Sequence, residues 1–81
     1  MTRVTVYSPP GLQGELILNE ALEALKRVGV KGKVELTSNE FECARAGVLC
    51  TPAISINGQL VTNGWVPRPD EFENLIRGAV S

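Results

Sequence analysis

Few side chains in this 81-residue sequence are equipped for chemistry, and the sulfurs of Cys43 and Cys50 come first. Six residues separate them, a spacing that fits neither the C-x-x-C dithiol nor the usual zinc-ligand patterns. Histidine is absent. That removes imidazole metal ligands, a histidine general base and Ser-His or Cys-His nucleophiles together. Chemistry is left to thiols, carboxylates, lysines and the backbone, and no metal or cofactor is expected. Immediately after Cys50 comes Thr51-Pro52, followed by the short apolar run Ala53 to Ile56 and the turn pair Asn57-Gly58. A proline opening a strand cannot donate to the ladder, so it belongs at a first strand position or an edge. An X-Pro bond is also the one place where a cis peptide costs little.

These residues need elements to position them, and the pattern of the chain supplies a short list. Arg3 to Tyr7 is β-branched and alternating, and Ser8-Pro9-Pro10-Gly11 stops it. From about Glu15, Leu18, Ala21, Leu22 and Leu25 recur at helical spacing, with Ile17, Ala24 and Val28 widening the stripe and Gly29 as the stop. Val34 to Thr37 alternates as a second strand, reached by a crossover that favours parallel pairing with the first. Thr37 to Glu40 carries capping residues ahead of a short helix, Phe41 to Ala46, which holds Cys43 and ends at Gly47. The third strand is Ala53 to Asn57, and Asn57-Gly58 predicts a type I′ hairpin into Gln59 to Thr62, ended by Asn63-Gly64. Pro69, Asp70 and Glu71 suit the first turn of a last helix whose apolar face is Phe72, Leu75, Ile76 and Val80.

The order βαβαββα predicts an α/β fold with a four-stranded mixed sheet. Two helices flank one face and the short middle helix the other. The chain reads as one domain over residues 1–81, too short for two cores. Hydrophobic residues make up 43% and charged residues 21%, an ordinary globular balance, and a net charge of −1 gives no electrostatic case for nucleic acid or anionic membrane. The amino terminus runs straight into Val4-Thr5-Val6-Tyr7 without a leader-like apolar run, and no stretch reaches membrane-spanning length, so a cytoplasmic location is expected.

From Val4 to Val80 the sequence resembles the small thioredoxin-like or glutaredoxin-like proteins known as redox-active disulfide proteins. The residues that carry the likeness are Val4-Thr5-Val6-Tyr7, Gly47-Val48, Thr51-Pro52, Ile54 to Gly58 and the final helix after Val66-Pro67. The resemblance implies a thioredoxin-like fold in which Pro52 is the cis-proline and Thr51 a backbone edge for substrate. It also aligns Gly11-Leu12-Gln13-Gly14 with the C-x-x-C segment, so both family cysteines are missing here. Exchange chemistry needs a thiolate and a second thiol to resolve the mixed disulfide, and glycine provides neither. Gly11 and Gly14 stand as loop and helix-entry glycines whose free N–H groups could receive an anion or a carbonyl.

The same resemblance places Cys50 facing the vacated redox position, as a candidate nucleophile with Cys43 as its resolver or disulfide partner. Against this stands the packing role usual for a free cysteine, and a disulfide needs Cα atoms within about 7 Å. Tyr7 is expected to line a small groove with Pro10, Cys50 and Pro52, and Trp65 to pack in the core or on the sheet edge. Two functions follow. One is thiol-disulfide exchange with a protein or peptide partner through Cys50 and Cys43. The alternative is a non-catalytic module that pairs an extended peptide with the edge at Thr51 and Pro52. A third, an accessory subunit contacting a partner chain through a sheet edge or Trp65, rests on less.

Overall fold

A computed structural model describes residues 1–80; Ser81, the last residue of the expected domain, lies outside the described residues. The elements are β1 (Thr2–Tyr7), α1 (Leu12–Val28), β2 (Gly32–Thr37), α2 (Glu40–Ala46), β3 (Ala53–Ile56), β4 (Gln59–Asn63) and α3 (Pro69–Val80). The strands form one mixed sheet in the order β2-β1-β3-β4, with β1 parallel to β2 and antiparallel to β3, and β3 antiparallel to β4. This is the α/β thioredoxin-like architecture expected from the order of elements.

Alternation in β1 divides the sheet. Val4 and Val6 are fully buried with Ile54 and Ile56 of β3 against Ile17, Ala21, Ala24 and Leu25 of α1 and Phe72 and Ile76 of α3. Arg3, Thr5 and Tyr7 point to the opposite face, where they border a groove shared with Ser55 and with Glu42 of α2. Here α2 covers little: none of its residues is buried. The hairpin turn has positive φ at both Asn57 (53°) and Gly58 (84°), as a type I′ turn requires. Asn57 also closes the start of β1, its N–H donating to the Arg3 carbonyl and its Oδ1 accepting from the Arg3 N–H.

Helix α1 begins at Leu12, about three residues ahead of the periodic leucines, because Gly14 already packs beneath Leu36 and Ser8. Its buried face is built on Ile17, Ala21, Ala24 and Leu25, while Leu18 is half-buried and Leu22 is 38% exposed. Small alanines let the helix approach the sheet, and the stripe turns toward them and away from Leu22. Gly29 ends the helix in the left-handed region, its N–H bonded to the Leu25 carbonyl at 2.9 Å. On the flank of α1 facing α3, Arg27 bonds Glu73 at 2.7 Å and Glu73 also pairs with Arg77. Asn39 caps α2 by accepting from the N–H groups of Phe41 and Glu42.

Candidate functional site

The topology gathers four loops at one end of the sheet. There β1 and β2 end, β3 begins and β4 ends, so Ser8–Gly11, Ser38–Asn39, Gly47–Pro52 and Gly64–Arg68 become neighbours. Between the first three lies a cleft of about 580 Å³, bordered by Pro9, Pro10, Cys43, Val48, Leu49 and Thr51 among others.

The loop from Gly47 to Pro52 is fastened at both ends. Gly47 terminates α2 with φ of 84°, and the Val48 N–H reaches back to the Cys43 carbonyl at 2.9 Å. Across the sheet end, Asn63 of β4 grips the middle of the loop: its Oδ1 accepts from the N–H groups of Leu49 (2.8 Å) and Cys50 (3.2 Å), and its Nδ2 donates to the Gly47 carbonyl (3.2 Å). The Gly64 N–H then donates to the Pro52 carbonyl at 2.9 Å. The Thr51–Pro52 peptide is cis. Thr51 itself is exposed, and among the described residues neither its N–H nor its carbonyl is hydrogen-bonded. Asn63→Ala is expected to lower stability by about 1–2 kcal/mol in urea unfolding and to speed amide exchange at Leu49 and Cys50, because three bonds to one loop are lost.

The two thiols are free and differently placed. Cys43, on α2, is half-buried and borders the cleft beside Pro10 and Thr51. Cys50 is exposed, and its Cβ is turned toward Gly64, where an added Cβ would come within 2.9 Å of it. Pro52 is half-buried behind Thr51. Tyr7 departs from the groove expected for it: it is buried, its hydroxyl shares a 3.3 Å hydrogen bond with Ser55, and it borders the groove on the opposite sheet face. The cause is parity, since residue 7 alternates with the core-facing Val4 and Val6.

Gly11 and Gly14 occupy the turn into α1 and the buried first turn of α1. Gly11 is exposed with φ of 143°, a region side-chain-bearing residues rarely adopt. A Cβ on Gly14 would lie 3.1 Å from Leu36 Cδ1 and 3.3 Å from Ser8. Trp65 does not pack in the core: it is 47% exposed, beside Val66 at 41%, and Leu49 (87%) and Leu12 (70%) are exposed at the same end of the sheet. Asn63, which the sequence offered only as a turn residue, is the site's main positioning side chain. The one hint was an amide able to donate and accept at once.

Among the described residues no cluster of three or more histidine, cysteine or acidic side chains could hold a metal ion, and no helix is long and apolar enough to cross a membrane. The fold and the loop cluster at its end define a thioredoxin-like domain. The comparison with protein families agrees: the model described as a thioredoxin domain matches residues 2–77, and the chain belongs to that family. Among individual proteins, it is similar to the thioredoxin of Methanothermobacter thermautotrophicus, 21% identical over 76 residues that cover 94% of this chain and 99% of that protein.

Proposed function

We propose that the chain is a thioredoxin-fold binding module that receives an extended segment of a protein partner along Thr51. The observation that carries this reading is the unpaired backbone of Thr51 on an exposed loop at the mouth of the cleft. An extended segment completes such an edge with main-chain hydrogen bonds, and exposed Leu49, Leu12 and Trp65 offer apolar contact to its side chains. No sulfur chemistry is required, in keeping with glycines at 11 and 14.

A redox role is the second reading, favoured by the cleft position of Cys43 beside Thr51 and by the exposure of Cys50. In it, the Cys50 thiolate attacks one sulfur of a partner's disulfide. A Cys50–partner bond forms as the partner's own S–S bond breaks, and the departing sulfur takes a proton. Cys43 then attacks the Cys50 sulfur, leaving a Cys43–Cys50 disulfide and a reduced partner. The binding reading stands ahead because Cys50 is turned toward Gly64 rather than the cleft.

Titration of the ¹⁵N-labelled protein with a carboxymethylated, thiol-free unfolded polypeptide tests the first reading. Amide shifts are expected at Leu49, Cys50 and Thr51 and at the Trp65 indole, lost in Leu49→Glu and retained in the Cys43→Ser, Cys50→Ser double variant. Shifts confined to the opposite sheet face, or none up to about 1 mM, the weak limit of specific binding, would overturn it. The redox reading requires disulfide reduction that disappears in Cys50→Ser; reduction that survives this change removes it.

A further inference from the structure

The outer edge of β2 carries a pattern of its own. β2 pairs with β1 alone and so forms one border of the sheet. The Thr2 and Ser8 N–H groups bond the carbonyls of Lys31 and Thr37, each at 3.0 Å. Odd-numbered residues of this strand therefore turn their backbone groups toward β1, and Gly32, Val34 and Leu36 turn theirs outward. Such a border is a template for another strand unless something blunts it.

We propose that β2 pairs antiparallel with β2 of a second copy of this chain, Val34 facing Val34, to give a weak, reversible two-fold dimer with a continuous eight-stranded sheet. Charge selects both the occupant and the register. Lys33 and Glu35 lie on the open sheet face, where each contacts the other at 3.7 Å and Glu35 also meets Arg3 at 3.5 Å, with all three side chains well exposed. With Val34 on the axis, Lys33 of each copy stands opposite Glu35 of the other, giving two cross-strand ion pairs. The outward groups of Gly32, Val34 and Leu36 meet one another at the same time. Sliding the copies by two residues one way sets Lys33 against Lys33 while Glu35 meets Lys31, and the other way sets Glu35 against Glu35, so only the register centred on Val34 has ion pairs and no like-charge contact. A one-residue slip would put inward-turned backbone groups opposite outward ones.

The helix side of the same edge is apolar. Gly14 of α1 lies under Leu36, and Gly32 lies under Leu25, so this flank of α1 faces β2 while Arg27 and Glu73 mark the flank facing α3. Leu18, four residues after Gly14, and Leu22, three before Leu25, extend along the β2 flank. Leu22 and Leu36 remain 38% and 37% exposed in the single chain. In the proposed register Leu36 of one copy comes opposite Gly32 of the other and meets the Leu25 side chain that covers that glycine, and Leu22 of the two copies line the seam. The interface is one short strand and one helix flank, in the size range of transient association.

Sedimentation over a concentration series tests the proposal, with circular dichroism confirming that each variant is folded. The wild-type average mass is expected to rise toward the dimer with concentration and less so at high salt. Lys33→Glu and Glu35→Lys should each weaken association about tenfold, since either change turns two attractive pairs into two repulsive ones. The Lys33→Glu, Glu35→Lys double variant restores opposite charges across the seam and should return association to near the wild-type level. A wild-type chain that stays monomeric to about 1 mM, single variants that associate like wild type, or a double variant as weak as the singles would each overturn the pairing.

Discussion

Phe72→Ala is expected to remove about 3–5 kcal/mol of stability, the cost of emptying a fully buried aromatic site in a core that collapses only partly. Phe72 is the largest fully buried side chain, and it anchors α3 against β1, β3 and α1. A chain of this length has about 4–12 kcal/mol in total, so the variant loses about a quarter of it or more and, at the low end of that range, sits at or past its unfolding midpoint at room temperature. Urea unfolding should show a midpoint displaced far toward zero with an unchanged slope. Phe72→Leu keeps most of the volume and should cost about 1.5 kcal/mol or less. A Phe72→Ala loss under about 1 kcal/mol would mean that α3 is not docked as described.

The second large effect is expected at Gly64, between β4 and the Trp65 segment. Its φ of 97° is strained for any side-chain-bearing residue, and an added Cβ would fall 2.9 Å from Cys50 Cβ. Gly64→Ala combines the backbone penalty with overpacking, together about 2–4 kcal/mol. The contact half can be separated from the backbone half. In a Cys50→Gly background no Cβ remains at residue 50 to be struck, so the same change should cost only the backbone share, with a coupling of about 1 kcal/mol or more. Cys50 should also react faster with a thiol reagent in Gly64→Ala, because the loop has to yield at that position. Equal costs in both backgrounds would show that Cys50 does not rest against Gly64.

The order of elements was legible because each depends on neighbours in sequence. Val4 and Val6 alternate, Asn57-Gly58 demands a tight turn, Asn39 caps the next helix, and Pro69 opens the last one. What escaped reading depends on contacts made at a distance. Leu18 and Leu22 look like core residues by spacing, yet the sheet selects the alanine side of α1. Tyr7 is near Pro10 in sequence, but strand parity sends its side chain through the sheet to Ser55. The cysteines could be counted and spaced, whereas their facing, one toward the cleft and one toward Gly64, depends on a loop held by Asn63 from thirteen residues away or more. A side-chain amide bonding a remote backbone leaves no period to detect.

The two glycines at the entrance to α1 bear on attempts to engineer sulfur into this scaffold. Cysteine at 11 would be forced into a backbone region that opposes it, and cysteine at 14 would push into Leu36 and Ser8. Grafting a reactive pair onto this entrance therefore calls for remodelling the turn and trimming a neighbouring leucine, and swapping two letters alone yields a frayed helix start before it yields a reductant.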